Sequence, residues 1–328
     1  MKKSENEFVE VLKWSGVNLL CGAGITGITL GLYYLLQVWM KFDEATAVYG
    51  IWLFVTLCLV TGIVSGMLAH KVGQRDRFFS FCVALCSYFI FSFVVMIFAY
   101  EGAICLFMAF FLVVPLNWLG LALGGRLASV LESRNKMFAS ALPLILLPAV
   151  DSAIQSREPN RVVEVSSVVI NATPEKIWPF LFHLEEIPPP TNVLFILGVA
   201  HPVHIDSTGE TAGSTRNWGL STGNMPGLIT KVEKNKRVVF RVNGTPKPMH
   251  ELNPFGEVNA IHDHHYYEVE SGEFVLEPLS GGRTRLTGVS TYRHRLYPGG
   301  YWTLWTDSVV EQVHLMELNE IKRRAELD

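Results

Sequence analysis

Four runs of about twenty apolar residues fill most of the first 125 positions, and nothing else limits the fold of this chain so strongly. They extend from about Val17 to Trp39, Ala47 to Leu68, Phe78 to Ala99 and Ala103 to Leu123. Crossing about 30 Å of hydrocarbon takes about 20 helical residues. In lipid every backbone N–H and C=O must be satisfied within its own segment, so each run is expected to be a helix. Residues 1–155 are therefore expected to form an all-α transmembrane helix bundle.

A fifth apolar stretch, Met137 to Val150, reads MFASALPLILLPAV. It is short for a span, is interrupted by Pro143 and Pro148, and is followed by Asp151. Extended through Ile154 it makes a short kinked fifth span; otherwise it lies at the interface or under the following domain. Basic residues cluster before the first run (Lys2, Lys3, Lys13), between the second and third (Lys71, Arg75, Arg77) and after the fourth (Arg126, Arg134, Lys136). Cytoplasmic loops carry the Lys/Arg excess, so the N-terminus and the loop near residue 75 are expected in the cytoplasm of a plasma (inner) membrane protein. With five spans the C-terminal domain is outside; with four it is cytoplasmic. The balance tips slightly towards five. Glu5, Glu7 and Glu10, and the length of the run after them, do not fit a cleaved signal peptide.

Gly27/Gly31, Gly62/Gly66 and Gly120/Gly124 are GxxxG pairs, which let helix backbones approach closely. Packing inside the bundle is the favoured reading; a homo-oligomer through the same glycines is the other. The middles of the four long runs carry no Asp, Glu, Lys or Arg. Ion pathways and proton relays are usually built from such groups, which disfavours a transporter or channel. The five cysteines (Cys21, Cys58, Cys82, Cys86, Cys105) all lie in this apolar half and read as small buried hydrophobes.

Beyond residue 150 the polymer changes. Residues 1–150 hold ten Lys/Arg and eight Asp/Glu, whereas residues 151–328 hold seventeen and twenty-two, with nine of the ten histidines. A mildly acidic second half has no basic face for nucleic acid. Arg161 to Asn171 is β-branched and largely alternating, as a strand requires. Thr173, Pro174 and Glu175 then make a helix start, with Ile177, Trp178, Leu181 and Phe182 on one face. Further strands are expected at His201–Asp206, Gly213–Leu220, Leu228–Glu233, Arg237–Val242, His265–Glu277 and Thr284–Arg295, the last two joined by a hairpin at Ser280-Gly-Gly. Pro298 to about Glu326 is expected to be a long helix whose buried face is Trp302, Trp305, Val309, Val313, Met316 and Glu320. Lys322, Arg323 and Arg324 stand in its last turns, where the helix dipole favours cations.

Strand, short helix, strand meander and long C-terminal helix is an α+β order. Three pieces carry a family resemblance: Val162-Val-Glu-Val-Ser-Ser-Val-Val-Ile-Asn-Ala-Thr-Pro-Glu-Lys-Ile-Trp178, Gly281-Gly-Arg-Thr-Arg-Leu286, and the helix around Trp302-Thr-Leu-Trp305. Over roughly residues 160–326 the chain resembles the START-like, or SRPBCC, superfamily of polyketide cyclases, lipid-transfer domains and the birch-pollen-allergen fold. The resemblance implies that residues 156–328 form a helix-grip domain: a curved antiparallel sheet closed by its C-terminal helix over a hydrophobic cavity. It implies a lipid, polyketide or other apolar ligand and no cofactor, and it transfers no catalytic residue. The fold hosts enzymes and binders alike.

On strand position and aromatic character, Trp178, Arg216, Trp218, Arg241, Tyr292 and Trp305 are the candidate ligand-binding residues. The densest polar cluster is His262-Asp263-His264-His265, with His250 and Glu251 before it. Glu251, His262 and Asp263 are the weak acid–base candidates. In an extended segment only two of the clustered side chains share a face, and no HExxH or CxxC spacing accompanies them, so no metal is assigned. The long connection containing Met249 to Gly256 is a candidate lid. The leading expectation is a membrane-tethered domain that binds an apolar molecule. A cyclase or dehydratase using the same cavity, and a non-binding structural or regulatory membrane protein, are the alternatives.

Overall fold

The computed structural model describes residues 46–71, 76–99, 101–132, 159–258, 266–296 and 299–327, with the single positions 13 and 16. The first apolar run, Gly27/Gly31, the stretch from Met137 to Ile154, and His262 to His265 lie outside the described residues. The chain divides into two compact units, residues 1–158 with 253–261, and residues 159–252 with 262–328.

In the first unit three helices are described: α1 (Thr46–Lys71), α2 (Arg77–Ile97) and α3 (Ala103–Glu132). Two of them, Arg77–Ile97 and Ala103–Val130, are long and apolar enough to cross a membrane. Asp76 caps α2, its carboxylate accepting from the Phe79 N–H at 3.1 Å. The GxxxG glycines of α1 and α3 face one another: the Cα atom of each of Gly62 and Gly120 lies 3.0 Å from where a Cβ would stand on the other. A Cβ on Gly66 or Gly124 would overlap the Leu121 or Ile63 carbonyl. Only glycine permits so close an approach of two backbones. Cys58 is buried as expected, but Cys86 is exposed. The segment from Asn253 also belongs to this unit. Its Asn253 amide donates to the carbonyls of Met96 and Glu101, at 2.8 and 3.2 Å, and Phe255 meets Phe93 edge to face. The second half of the expected lid is thus built into the helical unit.

The second unit is one antiparallel sheet of seven strands in the order β1-β7-β6-β5-β4-β3-β2. The strands are β1 (Asn160–Ile170), β2 (Pro202–Ser207), β3 (Thr215–Leu220), β4 (Gly223–Glu233), β5 (Arg237–Val242), β6 (Tyr267–Leu279) and β7 (Arg283–His294). Short helical turns α4 (Pro174–Ile177) and α5 (Val193–Ile196) lie between β1 and β2, with a 3₁₀ turn at Trp178–Leu181, and α6 (Gly299–Leu327) ends the chain. All seven expected strands form. One begins earlier than its pattern suggests: β4 starts at Gly223 and runs through Pro226, opposite Asn217. Proline lacks the N–H that a ladder position donates, but the Pro226 carbonyl still accepts, from Asn243 N at 2.8 Å.

The sheet is curled, and α6 lies against its inner face, the helix-grip arrangement. Strand alternation sends Ile170, Val238, Phe274, Leu276 and Leu286 inward, where they pack with Ile177, Leu181, Leu318 and Ile321. The buried face of α6 matches the expected one at Trp302 and Glu320 and differs elsewhere. Val310, His314, Glu317, Leu318, Ile321 and Ala325 are buried, whereas Val309, Val313 and Met316 are only partly so. The face is rotated because polar residues of α6 have partners on the sheet.

Candidate functional site

Arg216 is the residue around which the interior of the grip is built. It stands on β3 two positions before Trp218, so both side chains point to the inner face. Its guanidinium carbon lies 4.6 Å from the centroid of the Trp218 ring, 5.4 Å from Phe240 and 5.3 Å from Phe274. Trp218 and Phe240 pack at 4.6 Å, Phe240 and Phe274 at 5.8 Å. Two glycines make room for these rings. A Cβ on Gly272 would overlap the Phe240 ring, and one on Gly227 would collide with Trp218.

This cation is fully buried. Its Nη2 donates to Glu317 Oε1 of α6 at 2.8 Å, and its Nη1 donates to the Leu181 carbonyl. Trp218 also hydrogen-bonds Glu317. Nε has no partner among the described residues. Burial pulls the guanidinium down to about 10, against the opposing effect of Glu317, and burial holds the Glu317 carboxyl above its ordinary range, against that of Arg216. An unpaired charge at this depth would be very costly. The pair, three aromatic rings and one spare N–H therefore form a polar point inside an apolar box.

Two further polar groups line the same inner face. His314 of α6 lies between two serines, its Nε2 2.7 Å from Ser290 Oγ on β7 and its Nδ1 3.2 Å from Ser166 Oγ on β1. Burial lowers the imidazole pKa to about 4, so it is neutral near pH 7. Nearer the start of α6, the Tyr292 hydroxyl donates to Asp307 Oδ1 at 2.5 Å and lies 3.0 Å from the Thr306 hydroxyl oxygen. Burial first, then the Asp307 bond, holds the phenol well above its usual range. Tyr267 packs on Tyr292 at 5.3 Å.

The structure thus brings Arg216 and Trp218 together and sets Tyr292 on the same inner face. Trp178 is buried in the core, its indole N–H donating to Glu210 Oε2 at 3.0 Å and its ring 5.3 Å from Phe182. Trp305 is half-buried on α6. Arg241 is exposed, between buried Phe240 and Val242: alternation along β5 turns it to the outer face. Glu251 is half-buried in the connection after β5, and the other two acid–base candidates, His262 and Asp263, lie outside the described residues. Among the described residues no group of three or more His, Cys, Asp or Glu is placed to hold a metal. Sequence reasoning missed Glu317, His314, Ser290 and Phe240. The spacing of His314 and Glu317 with Val310 and Ile321 was the available signal, since all four recur at helical intervals.

No family model matches the sequence, and no curated protein matches it. Solved structures do. The Zhui aromatase/cyclase from Streptomyces sp. R1128 is 14% identical, with a TM-score of 0.34, over 51% of this chain and 94% of that one. A protein of Thermus thermophilus is 14% identical, with a TM-score of 0.33, over 50% and 97%. A norcoclaurine synthase point mutant of Thalictrum flavum is 9% identical, with a TM-score of 0.33, over 52% and 97%. The helix-grip assignment stands on the strand order and the position of α6 in this chain itself.

Proposed function

We propose that the second unit binds an apolar small molecule carrying one polar or acidic group, and that the first unit holds it at a membrane. The carrying observation is the Arg216 box: a buried cation ringed by Trp218, Phe240 and Phe274, with one N–H left unpartnered. Ligand sites are mostly apolar with a few placed polar groups. The rings supply area, and the guanidinium supplies a donor for a carbonyl, phosphate or carboxylate oxygen. The two apolar helices of the first unit support the tether.

The test is native mass spectrometry of the detergent-purified full-length protein. A bound mass is expected in the natural protein and absent from the folded Arg216→Met/Glu317→Leu double variant. A natural protein that stays empty, even after incubation with a total lipid extract, sinks the binding reading.

A second reading, an enzyme of the cyclase or dehydratase type, draws support from Ser290 and His314. A neutral imidazole 2.7 Å from a hydroxyl, on the face that carries Arg216, is a group able to accept or deliver a proton. Under this reading Ser290→Ala and His314→Gln keep the bound mass but stop its conversion. Under the binding reading the bound molecule is recovered chemically unchanged from the natural protein and from both variants.

A further inference from the structure

The two ends of the grip differ in character. Register places Asn160, Pro202, the Leu220–Gly223 turn, Val242, Tyr267 and His294 at one end, since β1 starts where β7 ends and β2 starts where β3 ends. The opposite end is mostly polar, with Leu327 at the last position of α6 as its exposed apolar residue. It consists of the Glu233-Lys-Asn-Lys236 turn, the Ser280-Gly-Gly282 turn and the last turns of α6, with Lys322, Arg323 and Arg324.

The first end exposes large apolar side chains. Val193 and Ile196 of α5 are 65% and 64% exposed, Leu252 46%, and Leu304, near the start of α6, 71%. Backbone pairing brings α5 and the 248–252 segment to one edge: Ala200 N donates to Pro248 O, His250 N to Gly198 O, and Val199 bridges Met249. Water-facing loops rarely gather such residues, and an exposed apolar group of this kind marks an interaction surface. Pro159, Leu252 and Tyr266, the described residues nearest the points where the chain enters and leaves this unit, stand at this end. The unit they lead to is the one with helices long and apolar enough to cross a membrane. Arg241, Lys247 and Arg295 belong to the same end, as do Glu251 and Glu268, the latter paired with Arg293.

We propose that this end of the grip rests on the lipid bilayer, with Val193, Ile196, Leu252 and Leu304 seated at the boundary of headgroups and acyl chains. Apolar side chains flanked by cations are the chemistry of an interfacial membrane surface. The proposal rests on the membrane reading of the first unit and not on the identity of the bound molecule.

The experiment uses the natural full-length protein in phosphatidylcholine/phosphatidylglycerol vesicles with a trace of phosphatidylcholine bearing a diazirine on its acyl chain. After illumination, peptide mass spectrometry locates the adducts. Adducts are expected on peptides containing Val193–Ile196 and Leu252, and not on those containing Lys234 or Gly281. The Ile196→Glu/Leu252→Glu variant is expected to lower labelling of its two segments about fivefold or more. Adducts confined to β3, β5 and β6 around Arg216 would report a lipid inside the grip and overturn the surface assignment while supporting the binding reading. Labelled α2 and α3 with an unlabelled α5 would overturn it as well, leaving the patch to a second copy or another protein. Equal labelling of both ends would also overturn it.

Discussion

The two units solve opposite packing problems. Between α1 and α3 the helices approach until backbone meets backbone, through Gly62, Gly66, Gly120 and Gly124. Behind α6, side chains fill the space, and charged ones are among them: Arg216, Glu317 and Glu320 are buried. Lipid is as apolar as leucine, so two helices in it gain little by hiding apolar surface and associate through close fit. A sheet in water gains about 25 cal/mol for each Å² of apolar surface it covers. That gain lets the second unit tolerate an ion pair whose desolvation is unfavourable. On the proposed membrane reading, close fit is the main hold on the first unit, whereas burial holds the second and leaves room for chemistry.

The sharpest break of this contrast is Glu317→Ala. It strands the Arg216 charge and is expected to cost about 3–5 kcal/mol, seen as a large fall in the denaturation midpoint of the second unit. Arg216→Met/Glu317→Leu should return close to the natural stability; a double variant as unstable as the single one would show that the pair itself holds the fold.

Next comes pH. The folded pKa of His314, about 4, is below its unfolded value of about 6.5, so the unfolded chain binds the extra proton. Its contribution is complete above pH 6.5 and is lost as pH falls through that value towards 4, about 3 kcal/mol in all. Thermal melts between pH 7 and 4 should show the decline, and His314→Gln should flatten it. An unchanged slope in that variant assigns the acid sensitivity elsewhere.

Gly124→Val tests the other unit. Its Cβ would overlap the Ile63 carbonyl, and overpacking costs about 1–3 kcal/mol. Detergent thermostability should fall while the bound mass of the folded fraction is unchanged; an unaffected melting curve would mean the α1–α3 contact is looser than described.

The smallest effect belongs to Arg323→Ala. Burial raises the pKa of the Glu320 carboxyl, but Arg323 and Arg324 together bring it below its usual value. Arg324 Nε still donates at 2.7 Å after the change. A loss of less than about 1 kcal/mol is expected in urea melts; a larger one would make Arg323 the main partner of this carboxylate.

Much of the fold is legible because alternation and turn chemistry are local. The pattern at Arg237–Val242 predicts β5, which forms there, and the Ser280-Gly-Gly turn joins β6 to β7. Arg216 and Trp218 share a face by their spacing alone. The same alternation, applied to β5, would have set Arg241 outside, since its neighbours Phe240 and Val242 are the apolar ones. The partners of the box are harder to read. Nothing in one strand tells whether an aromatic ring faces packed core or a buried cation two strands away. The rotation of α6 escapes a reading by apolar spacing, which put Glu320 inside but passed over His314 and Glu317 for Val313 and Met316. Here His314 and Glu317 are inside because Ser290, Ser166 and Arg216 receive them.

The strand order has a consequence for biosynthesis. β1 pairs with β7 rather than with its neighbour in the chain, and Glu317 follows Arg216 by 101 positions. Chains emerge from the ribosome N-terminus first, so the meander from β2 to β7 emerges ahead of the carboxylate. Through that interval Arg216 stays hydrated on an open sheet. Dehydration of the guanidinium waits for the last helix, which carries Glu317 and closes over the inner face.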